Sequence, residues 1–142
     1  MLWTAYGTEK VDLPPDIKRY KATHVKHPMS LWVRKSQTNF NFTARLGMAL
    51  CDEYSTRFER THACERIIQW IYAHPPSTWG STYAPTTVLA STDIPPHVTP
   101  VPLCMPSQYQ GPSLVKSYRA YYKCEKRHNA TWRHTGQPLW MK

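Results

Sequence analysis

The hydrophobic positions take helical spacing in the middle of the chain and lose it on both sides. Over about residues 39–58, Phe42, Leu46, Ala49 or Leu50, and Tyr54 recur three to four residues apart, the period of a helix with one apolar face. Ahead of that run, His27-Pro28 opens a shorter helix carrying Leu31, Trp32 and Val33, because proline is well tolerated in a first helical turn. Behind it, Ala63, Ile67, Trp70 and Ile71 predict a third helix over about residues 61–73. His74-Pro75-Pro76 ends that helix, since proline disfavours helical backbone in the residue before it.

The flanks read differently. Residues 1–6 are helix-compatible and Gly7 looks like a stop. So short a helix needs either a longer helix ahead of it or a body to pack against. Residues 8–26 are polar and basic, contain Pro14-Pro15, and read as loop. Residues 75–113 hold nine of the thirteen prolines and one charged residue, Asp93, which predicts extended, irregular chain. Val88, Leu89, Ile94, Val98, Val101, Leu103 and Met105 make this stretch too apolar for a solvated linker. The expectation is an ordered loop wrapping the helical core, with disorder as the competing reading. Ser113 then caps a last helix running through Arg127. Val115, Tyr118 and Tyr122 would face inward, with Leu114 and Tyr121 beside them.

Together these elements predict a mainly α, single-domain helical bundle with a long Pro-rich ordered loop and a basic aromatic C-terminal tail. Its parts are a stub and loop (1–26), a helical core (27–74), the Pro-rich loop (75–113) and the basic helix and tail (114–142). Length and composition agree: 142 residues with 41% hydrophobic content fill one core. No stretch approaches the ~20 apolar residues that span a bilayer, and Met1-Leu2-Trp3 opens no secretory signal. The reading is an intracellular protein with no membrane partner.

Charge narrows the function. The chain carries +9, from 18 Lys and Arg against 9 Asp and Glu. A surplus of that size attracts polyanions, nucleic acid foremost, because each neutralised phosphate releases a condensed counterion. A merely soluble basic surface is the plainer alternative. The surplus peaks over residues 116–142, where seven Lys and Arg face the single acid Glu125.

Three constellations carry candidate chemistry. In the tail, Arg119, Lys123, Lys126 and Arg127 suit phosphates, while Trp132 and Trp140 suit unpaired bases or anchor the tail to the core. In the middle helix, Glu53 and Arg57 stand four apart, with His62 just beyond. They read first as a structural ion pair, with Glu53 the only core carboxylate available for catalysis. In the opening helices, Arg34, Ser36 and Asn39 suit phosphate or base contacts, or else capping and packing. Cys51, Cys64, Cys104 and Cys124 form no CxxC pair, which fits four buried free thiols in a reducing compartment. Cys124 and His128 are spaced for one helix face, but tighter pairing is usual for zinc. No metal site and no cofactor follow. Phosphate-cradling, GxSxG and HExxH motifs are missing, which argues against an ATPase or serine hydrolase.

The segments HPMSLWVRKSQTNFNF and EYSTRFERTHA, followed by Tyr118-Arg119-x-Tyr121-Tyr122 and Pro138-x-Trp140, resemble a family of small phage and giant-virus proteins labelled pyrimidine-dimer DNA glycosylases. The resemblance covers about residues 20–74 and 114–140, and leads more remotely to endonuclease V-type glycosylases. It implies duplex DNA, damaged or intact, as partner, and a viral setting in an infected cell or virion. It also implies a glycosylase and lyase mechanism, with an N-terminal amine as nucleophile, a carboxylate assisting and a base flipped from the helix. In that family the amine and carboxylate belong to a segment upstream of a helix end like residues 1–6. The expectation is therefore DNA binding with weak or no cutting. The alternative is a non-catalytic, nucleic-acid-associated viral structural or interaction protein.

Overall fold

Two side chains punctuate the first half of the fold. In the computed structural model, which describes residues 1–6, 11–76 and 97–142, His27 Nδ1 accepts the Met29 amide at 3.2 Å. With Pro28 in the first turn, this starts α2 (Pro28–Lys35). Ser36 Oγ accepts the Asn39 amide at 3.2 Å and starts α3 (Gln37–Phe58) one residue after α2 ends. The remaining helices are α1 (Leu2–Ala5), α4 (Glu65–Ala73) and α5 (Leu114–Tyr121). No strand occurs among the described residues, and the fold is mainly helical.

The core lies where α1 to α4 meet. Val33, Phe40 and Ile71 are enclosed completely or nearly so, with Tyr6, Trp32 and Ile67 around them. The stub α1 is held by this body, as its length requires. Thr4 Oγ1 donates to the Thr23 carbonyl at 2.9 Å, and the Tyr6 hydroxyl donates to the His74 carbonyl. The Gly7 stop lies outside the described residues.

The inward face of α3 is not the one that Leu46 and Leu50 mark. Leu46 and Leu50 are 47% and 61% exposed. The core face carries Phe40, Ala44 and Cys51, all buried, with Gly47 on the same stripe. At about 100° per residue, this stripe stands about 120° from the one holding Leu46, Leu50, Glu53 and Arg57. Small residues face the core because α4 comes so close: a Cβ on Gly47 would lie 3.3 Å from Ile68 Cδ1. Phe42 faces a third way and meets Trp32 edge-on, ring centroids 6.2 Å apart.

Two helix boundaries also differ from expectation. His62 Nδ1 accepts the Cys64 amide at 3.2 Å, a local turn that delays α4 to Glu65 and leaves Ala63 exposed outside it. Ser113 caps α5 as expected, accepting the Lys116 amide at 3.4 Å. Regular helix stops at Tyr121, and a π turn (Tyr122–Lys126) and a 3-10 turn (Arg127–Asn129) follow. Tyr122, at the junction, is 48% exposed instead of facing inward.

The described part of the Pro-rich stretch is tied to the core. Val98 and Val101 pack against it, and Thr99 is gripped at the α2–α3 corner. The Asn39 amide donates to Trp32 O at 2.9 Å and to Thr99 Oγ1 at 2.8 Å. Its oxygen accepts the Thr99 amide at 3.1 Å, and Trp32 Nε1 donates to Thr99 O at 3.1 Å. Val88, Leu89, Asp93 and Ile94 lie outside the described residues.

Candidate nucleic-acid interface

The exposed stripe of α3 is one wall of a cleft of about 730 Å3. Leu46, Leu50 and Arg57 line it from α3; Tyr118 and Arg119 line it from α5. The tail folds back to close the other side with Trp132 and Trp140. Most of the surface between them is apolar, and its three cations stand against aromatic rings, two of them within the cleft and one, Tyr121, outside its lining. The Arg119 guanidinium lies 5.5 Å from the Trp140 ring centroid. The Lys126 ammonium lies 5.6 Å from that of Tyr121, and the Arg57 guanidinium 5.9 Å from that of Trp132. Such contacts hold a cation in place without cancelling its charge. Met141, buried, and the 3-10 turn Leu139–Met141 anchor the end of the tail.

Five of the residues expected to bind nucleic acid thus converge on one feature: Arg57, Arg119, Lys126, Trp132 and Trp140. Lys123 sits on the adjoining π turn, where its ammonium donates to the Lys142 carbonyl at 2.5 Å. Arg127 is exposed one residue past that turn.

The other expected residues have structural partners elsewhere. Arg34 donates to the carbonyls of Ser30 and Val25, at 3.3 and 2.7 Å. Ser36 caps α3, and His62 turns the chain into α4 against the Tyr54 ring, 4.8 Å between centroids. Asn39 is corrected outright: it is 0% exposed and both ends of its amide are bound within the protein.

Glu53 and Arg57 form the expected pair, Nε to Oε1 at 2.5 Å. The same guanidinium donates to the Thr131 carbonyl at 3.1 Å, pinning the tail to α3. The pair is more open than a buried ion pair, with Glu53 exposed, so its loss strands no buried charge. A carboxylate held by an arginine is also poorly placed to serve as a base.

Burial raises the Tyr118 phenol pKa above its ordinary value, and its hydroxyl donates to the Pro102 carbonyl at 3.3 Å. Tyr109 is raised chiefly by donating to Glu125, at 2.6 Å. Trp132 Nε1 is buried without a hydrogen-bond partner among the described residues. Burial lowers the pKa of the Met1 amine. This group stands at the α1 end of the molecule and does not line the cleft.

Of the four thiols only Cys51 is buried; Cys64 is half-buried, and Cys104 and Cys124 are exposed. The expectation of four buried thiols fails: Cys104, in the Pro-rich stretch, and Cys124, on the π turn after α5, both face solvent. Cys124 and His128 are both exposed, and no three metal-ligating side chains converge among the described residues. No helix among them is long and apolar enough to cross a membrane.

Reading the sequence alone missed Leu46, Leu50 and Tyr118 as cleft residues, because each was assigned to the core. The signal for the two leucines was present: Phe40, Ala44, Gly47 and Cys51 repeat at helical spacing and offer a competing inward stripe. No family of known proteins, no curated protein and no solved structure matches the chain.

Proposed function

We propose that the chain binds DNA through the cationic surface around this cleft, and that it does so without cutting. The observation that carries the reading is the convergence of Arg119 and Lys126 on a cleft walled by Trp132 and Trp140. Lys123 and Arg127 extend the same run of positive charge along the turn that follows α5. Phosphates neutralised there release counterions, which makes affinity salt-dependent. The glycosylase reading that the sequence resemblance implies is the less favoured form. The carboxylate nominated for it, Glu53, is exposed and engaged by Arg57.

Binding is tested by fluorescence anisotropy of a labelled duplex across a salt series. Log affinity should fall with log salt, by about 0.9 per phosphate contacted. Reversing Arg119, Lys123 and Arg127 to Glu should remove most of the binding while circular dichroism stays native. Affinity indifferent to salt, or to the triple reversal, would sink the reading. Cutting is tested by borohydride trapping on an oligonucleotide with a pyrimidine dimer or an abasic site, and no covalent adduct is expected.

A further inference from the structure

We infer that the cleft takes one unstacked nucleobase, so that the chain prefers unpaired DNA to duplex; this rests on the DNA-binding reading above. A duplex offers a protein its phosphates and groove edges, while its base faces are hidden in the stack. Cations on a convex surface would satisfy a duplex. They leave no use for an apolar cleft of about 730 Å3, a size within the ~300–1,000 Å3 of small-molecule sites.

The walls fit a base. Leu46 and Leu50 leave apolar surface in water on one side, and the rings of Trp132 and Trp140 face it from the tail. Every base has a flat π face that stacks on such rings whatever its sequence. The rim fits the phosphate attached to that base. Arg119 and Lys126 reach the cleft with their charge intact, because among the described residues no carboxylate pairs with either, and each stands against an aromatic ring. Arg57 differs, being offset by Glu53. An aromatic group carrying an anion one sugar away matches this apolar box with two cations at its mouth. The π turn brings Lys126 to the rim, and such turns recur at functional sites.

The test compares a labelled single strand of about 12 nucleotides, within the site sizes of single-strand binders, with the same strand annealed to its complement. Charge alone favours the duplex, whose phosphates are denser. A base in the cleft reverses that order, and single strand should bind about tenfold tighter, the effect of one stacked base. Leu50→Trp fills the cleft from an exposed position and should bring the ratio of the two affinities to about one or below. Leu46→Trp, on the same wall, should do likewise and serves if the first variant melts early.

Tighter duplex binding in the unaltered protein would overturn the inference and leave DNA binding standing. So would a ratio that both variants leave unchanged. An RNA strand of the same sequence that outcompetes the DNA strand would overturn the assignment to DNA. If neither single strand nor duplex binds in a salt-dependent way, the DNA reading fails together with the inference.

Discussion

The helical core and the C-terminal segment use aromatic side chains in opposite ways. In the core, Tyr6, Trp32 and Phe40 are enclosed. The polar ends of the first two are bound to backbone carbonyls, the hydroxyl to His74 and the indole to Thr99. In the C-terminal segment, Tyr121, Trp132 and Trp140 are half-exposed, and each has a cation over its ring, 5.5 to 5.9 Å from the centroid. The first arrangement removes rings from water and fixes them. The second holds ring faces and positive charge at one surface, where something flat and anionic can meet both. Residue type does not separate the two uses; what surrounds each ring does.

The sharpest way to break this comparison is to empty the core. Phe40→Ala should cost about 3–5 kcal/mol, the range for a large buried aromatic, measured by urea unfolding. Trp140→Ala should cost clearly less, because the ring is only half-buried. Equal costs would erase the distinction between the two regions.

A smaller effect is expected at the corner that joins them. Asn39→Ala leaves the Thr99 amide and the Trp32 carbonyl without their partner. It should lower stability by about 1–3 kcal/mol, with protease sensitivity rising first around residues 97–101. Smaller again is the pair that pins the tail. Glu53→Gln should lower stability by about 0.3–0.5 kcal/mol, as for other helical pairs in contact with solvent, and a thermal melt should move by no more than a degree or two.

The gentlest probe is pH. The Tyr118 phenol has its pKa raised above the ordinary 10.0, chiefly by burial, so the folded chain favours the neutral form. Its stabilising contribution is complete below about pH 10 and is lost as pH rises through the folded value. Tyr118→Phe should flatten the alkaline limb of the stability curve and leave neutral pH almost untouched.

Much of the fold was legible in the sequence, and the reasons are local. Pro28, Ser113 and the His74-Pro75-Pro76 stop act on their own neighbours, so the helix ends they mark could be placed from local signals; α3 was expected from about residue 39 and is capped at Ser36 instead. The face of α3 could not be placed this way, because three of its sides carry apolar residues and only the close approach of α4 selects the small ones. The site was half legible for the same kind of reason. The cations and tryptophans of the tail announced themselves by composition. Their meeting with Leu46 and Leu50 depends on the tail folding back across α3, which no local pattern encodes. Asn39 misled because its side chain looks like a ligand group, and the residue it serves lies 60 positions away.

That separation governs how the protein can be made. During synthesis the segments of α1 to α4 leave the ribosome well before Thr99 does. Until it arrives, the amide of Asn39 has no partner for its oxygen, and the indole of Trp32 has none for its nitrogen. The corner must therefore wait, wet or loosely closed, for a piece of chain that closes a long loop, and contacts of this kind form late and slowly. A nascent chain released after α4 would carry all four helices of the core yet lack the residue that locks two of them together.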